Sequence, residues 1–168
     1  MELKSYLLAQ LDREAALTRK TIERVPEGQN DYKPHERSME LGYLAALVGA
    51  MPGWIAFMID RDEIDFADPA SASFRTKAVG TRAELLAAHD EAVANARQAL
   101  ESTTDEHLMT PWAFKMNGQA IQQQARYLMI SDAVFSHLAH HRGQLTVYLR
   151  LNEAKVPALF GPSADEHF

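Results

Sequence analysis

The chain contains no cysteine. Disulfides, thiolate metal ligands and catalysis through a protein thiol are therefore all excluded, and any thiol chemistry would need a small-molecule thiol. Positive charge is also scarce: 17 basic residues stand against 23 acidic ones, for a formal charge of −6, and no Lys/Arg cluster interrupts the excess. A field of that sign argues against nucleic acid or an anionic membrane as partner. Met1–Leu11 mixes charged with apolar residues and lacks a signal-peptide core. No run is expected to approach the ~20 apolar residues of a membrane span, and the expected compartment is the cytoplasm.

Apolar periodicity is abundant instead. Its 168 residues suit one domain, 1–168, with a sizeable core. Leu8, Leu11, Ala15, Thr18, Ile22 and Val25 recur at steps of three and four, predicting a first helix from Glu2 to Val25. A loop rich in turn residues follows to Arg37, and Ser38 is the expected N-cap of a second helix. That helix carries Leu41, Leu44, Val48, Met51, Ile55 and Met58, with a kink expected at Pro52 because proline removes a backbone donor.

Asp60–Gly80 reads as a connection, and Thr81 with Glu84 forms a capping-box pattern for a third helix ending near Thr103 and Thr104. Asn117-Gly118 predicts a hairpin between Trp112–Phe114 and Ala120–Ile121. A fourth helix is predicted from about Gln124 to Asn152, followed by a non-helical tail rich in proline and glycine. The fold class these patterns predict is all-α, a four-helix bundle.

The chemistry concentrates in the fourth helix. His137 and His141 occupy core-stripe positions between Val134 and Leu145. A spacing of four places two imidazoles on one face, about 5–6 Å apart at Cβ, within reach of one divalent ion. The alternative is a pair of core histidines satisfied by hydrogen bonds, since two ligands fall short of the usual three plus water. His89, on the third helix's apolar stripe, is the candidate third ligand, while His35 and His107 are loop residues that could cap a pocket. Gln144 and Tyr148 lie one and two turns beyond His141 and could orient a ligand or water. Arg142 and Arg150 read as surface residues paired with acids or as anion holders, and Trp54 and Trp112 as core or dimer-contact aromatics.

His137-Leu138-Ala139-His140-His141-Arg142-Gly143-Gln144-Leu145, together with Val156-Pro157-Ala158-Leu159-Phe160-Gly161-Pro162, resembles the C-terminal signature of the DinB family. Tyr32-Lys33-Pro34-His35 and Pro52-Gly53-Trp54 are similar to that family's loop and second helix. The resemblance implies a DinB/YfiT-like four-helix bundle, often a homodimer. It also implies a divalent metal, Zn or Ni, held by three histidines, and relatives such as bacillithiol transferases and mycothiol-dependent maleylpyruvate isomerases. His137 and His141 match the family's pair, whereas its helix-two ligand position is Leu47 here. Two readings follow from the resemblance. One is a metal-dependent enzyme, a thiol-dependent transferase or hydrolase, using the His137/His141 pocket and a low-molecular-weight thiol. The other is a metal-free or non-catalytic dimer that binds a small apolar ligand beside Leu47. Metal-free acid–base catalysis by His137 or His141 is a third.

Overall fold

The computed structural model of the chain describes residues 2–74, 76, 77 and 79–167. Helix α1 runs Leu3–Ile22, and Asp105 starts it from a distance: its carboxylate accepts the backbone N–H groups of Leu3 and Lys4, both at 2.9 Å. Those two bonds hold the Asp105 carboxyl below the usual carboxylate range, Lys4 contributing most. The buried face of α1 is Leu7, Leu11, Glu14, Thr18, Thr21 and Ile22. It is thus rotated from the predicted stripe at Leu7 and Glu14, which replace Leu8 and Ala15.

The second predicted helix is three pieces: α2 (Leu41–Ala50), a 3₁₀ turn (Met51–Gly53) and α3 (Trp54–Asp60). The break falls at Pro52, as its missing donor requires. Ser38 does not cap α2. The loop does so with carbonyls, Tyr32 O accepting from Leu41 N and Asn30 O from Gly42 N, both at 2.9 Å. Residue 42 must be glycine for this approach, because a Cβ there would lie 2.9 Å from the Asn30 side chain. The run Leu41–Asp60 does have the length and composition of a membrane span, contrary to expectation, but 67% of its most apolar window is buried inside the fold. It is a core helix.

A short strand β1 (Glu63–Asp65) and a 3₁₀ turn (Pro69–Phe74) fill the connection to α4 (Arg82–Ser102). The predicted capping box is present: Thr81 Oγ1 accepts from Glu84 N at 3.2 Å, and Glu84 Oε2 accepts from Thr81 N at 2.9 Å. The one-turn helix α5 (Asp105–Leu108) leads into β2 (Pro111–Met116) and β3 (Gln119–Ala125), the hairpin predicted at Asn117-Gly118. Both turn residues have positive φ, 51° and 76°, which is what a two-residue hairpin of this hand demands. Strand β1 adds in parallel to β2, giving the order β1-β2-β3. The Asp65 carboxylate reaches the hairpin turn through Asn117 N and Gly118 N.

The last helical run comprises α6 (Arg126–Ile130), a π-helical turn (Ser131–Ser136) and α7 (His137–Leu151). Helix α1 packs on α4, α2 and α7, and α3 packs on α4 and α6. The chain is thus mostly helical, as expected, but the all-α assignment is corrected by the three-stranded sheet. Strand β1 escaped notice because three residues carry no usable period, and its pairing partner lies about fifty positions away.

Two apolar clusters form the core, one under the sheet around Trp112, Ile55 and Met129, the other between α2 and α7 around Leu44, Val48, Leu145 and Leu149. Trp54 packs against both. Threaded through the second region is an ion pair that periodicity did not foresee. Arg142, 1% exposed, donates to Glu14 Oε2 at 2.7 Å and to Thr18 Oγ1 at 3.1 Å. The reading of Arg142 as a surface residue is therefore corrected, whereas Arg150 is exposed and pairs with Asp165 in the tail.

Candidate functional site

The core-facing stripe of α7 is Leu138, His141, Arg142, Leu145, Tyr148 and Leu149, so the histidine pair sits at its edge. His141 is buried and His137 half-buried. Their Nε2 atoms lie 2.8 Å apart, and Gln144 Oε1 is 2.8 Å from His141 Nδ1. Two neutral imidazoles in this contact share a single proton between their Nε2 atoms, one ring donating and the other accepting. Gln144 thus contacts His141 itself.

Burial lowers the His137 pKa, and the neighbouring His141 adds to this, against a hydrogen bond to the Ala133 backbone that raises it. The folded state thus binds this proton less readily than the unfolded chain. The stability His137 contributes is complete above the ordinary histidine value, about 6.5, and is lost as pH falls through the lowered value. Urea midpoints of metal-free protein are expected to fall below that pH, and to fall less in His137→Gln. Equal slopes in the two proteins would contradict the assignment to His137.

His137 also lines a cavity of about 690 Å³. Tyr43, Leu47, Trp54, Phe66, Phe114 and Ile121 supply its apolar walls, and Thr76, Gln122, Asp132 and His137 its polar points. This size and make-up are those of a small-molecule site. The Trp54 and His137 rings pack 5.9 Å apart, and Phe66 stacks on Phe114 at 5.3 Å. The π turn explains why Asp132 and His137 share the cavity. Residues five apart on an α-helix point about 140° away from each other, whereas the wider i→i+5 turn brings them toward one side.

Tyr148 is elsewhere: its hydroxyl donates to Met39 O at 3.1 Å, and with Gln144 it lines a separate shallow groove. His89 is buried between α1, α2 and α4, its Nδ1 3.0 Å from Gly49 O and its Nε2 3.3 Å from Ala15 O. Both ring nitrogens face backbone carbonyls. His35 Nδ1 accepts from Arg37 N, and His107 Nε2 lies 2.9 Å from Ile59 O, so neither caps the cavity. His140 is exposed, its ring edge against His141. Among the described residues no three His, Cys, Asp or Glu side chains come together to hold a metal ion. Two converging imidazoles and Leu47 form an incomplete donor set for the zinc or nickel that the family resemblance implies.

The wall residues Tyr43, Phe66, Phe114, Ile121, Gln122 and Asp132 were not singled out from the sequence, and Trp54 was read as core or dimer contact. The aromatic alternation in the hairpin was their one visible signal.

No curated protein matches the chain. Among solved structures, a DinB-like protein of Bacillus subtilis superposes with a TM-score of 0.67 at 19% identity, covering 90% of this chain and 96% of its own. A DinB-like protein of Bacillus cereus ATCC 10987 gives 0.64 at 17% identity, covering 88% and 91%. At such identities the likeness concerns the fold. The sequence itself matches the DinB family over residues 1–166, nearly its full length, and the chain belongs to the DinB family.

Proposed function

We propose that this DinB protein binds a small, largely apolar molecule in the cavity beside His137, and that it does so without a resident metal. The observation carrying this reading is a cavity of about 690 Å³ whose walls are aliphatic and aromatic, Leu47 among them. The hydrogen-bonded His137–His141 pair gives that site one polar, proton-carrying wall, suited to orienting a ligand or to exchanging a proton with it. The same reading keeps the single domain 1–168, the cytoplasmic compartment and the homodimer as parts of the proposal.

A second reading, a Zn- or Ni-dependent transferase or hydrolase working with a low-molecular-weight thiol, is favoured by the convergence of the two Nε2 atoms at 2.8 Å. A third donor from outside the described set would have to complete it.

Thermal unfolding of untagged protein in EDTA, screened against neutral aromatic fragments, tests the first reading. A bound fragment at 100 times its Kd is expected to raise Tm by about 5–10 °C. It should also change the fluorescence of Trp54, which lines the cavity, while Trp112 is fully buried. Fragments without effect in EDTA, together with stoichiometric Zn or Ni that disappears in a His137→Ala/His141→Ala double variant, would replace it with the second reading.

A further inference from the structure

The cavity's polar points are not neutral in sum. Asp132 places a carboxylate on its wall, and no lysine or arginine lines it among the described residues. That carboxylate takes part in no ion pair among the described residues; the Gln124 amide, donating to Oδ2 at 2.9 Å, is the hydrogen bond it accepts. Tyr43, Trp54, Phe66 and Phe114 line the same cavity, and aromatic ring faces carry the negative end of the quadrupole. The chain as a whole adds a formal charge of −6. All three contributions have the same sign: they attract a cation and repel carboxylate or phosphate.

We propose that the ligand class of this cavity is a lipophilic amine, its rings or alkyl body against Trp54, Phe114 and Leu47 and its ammonium group on the Asp132 carboxylate. The inference rests on the cavity being the ligand site. The π turn Ser131–Ser136 is the device that makes the site selective, because it turns Asp132 toward the wall that His137 occupies. Asp132 is solvent-exposed, so its substitution does not disturb the core. Burying an apolar body over it would exclude water and strengthen the charge-assisted hydrogen bond.

Calorimetric titration with three probes of one shape, 1-naphthylmethylamine, 1-naphthylmethanol and 1-naphthoic acid, tests this at pH 7.5 and low salt. The amine is expected to bind about tenfold more tightly than the alcohol, and the acid more weakly than either. Asp132→Asn should bring the amine down to the alcohol's affinity. An alcohol that binds as well as the amine, or an amine preference that survives Asp132→Asn, would overturn the ligand class while leaving the cavity as a binding site. If neither amine nor alcohol binds, the cavity reading and the ligand class fall together, and tighter binding of the acid would reverse the assigned charge.

Discussion

Arg142→Met is expected to destabilise the protein by about 3–5 kcal/mol, the usual cost of removing one partner from a buried ion pair. Arg142 and Glu14 are 1% and 6% exposed and meet at 2.7 Å, and Arg142 also donates to Thr18 and to the Glu14 carbonyl. Without the guanidinium, the Glu14 carboxylate is left among α1 and α7 with Arg13 as its remaining cation, at 3.7 Å and on the surface side. The double variant Glu14→Leu/Arg142→Met should recover much of the loss, because two apolar side chains carry no desolvated charge. Urea unfolding of the wild type and three variants as a double-mutant cycle measures it. A single-variant loss below ~1 kcal/mol would place the pair in solvent, contrary to its burial.

Leu47→His is expected to turn a weak two-imidazole site into a strong one. Leu47 and His137 line the same cavity, and α2, which carries Leu47, packs against α7. A third imidazole from that position would give the three protein nitrogens that a zinc or nickel site with an open position requires. Apparent affinity for Ni²⁺ or Zn²⁺, followed by competition with a chelator, should rise by at least about 100-fold, roughly the 2.7 kcal/mol equivalent of two decades. A wild type that already binds as tightly as Leu47→His would mean that another donor completes the site, and would support the metal-dependent reading. An affinity unchanged and weak in both would mean that residue 47 does not reach the pair.

Features encoded within a few residues were legible. Thr81 and Glu84 mark the start of α4 because a capping box is closed by neighbours alone. Asn117-Gly118 marks the hairpin because the turn's positive φ values select those residues. Pro52 marks the break between α2 and α3 through a missing donor on its own nitrogen. His137 and His141 were found together because a spacing of four is itself a statement about one helical face.

The helix-one stripe shows where such reasoning stops. The predicted stripe passes over Glu14, yet its partner, 128 positions away, makes it a core residue. Arg142, read as a surface residue or anion holder, is buried by the same partner, and Phe66, which no local pattern marks, belongs to the cavity through β1 pairing in parallel with β2 and through its stack on Phe114. The π turn gave no sign of itself either, since no residue type in Ser131–Ser136 marks it.

The sequence by itself determined the helices, their locally written starts and breaks, and the histidine pair. Only the tertiary structure decided that His137 faces an apolar cavity that Asp132 also lines, that His89 is engaged with Gly49 and Ala15, and that Arg142 is buried. The physical reason is range. A cap, a turn or an i,i+4 pair is closed within one or two helical turns, whereas a cavity wall or a buried ion pair exists only where segments distant in sequence meet and water is excluded between them.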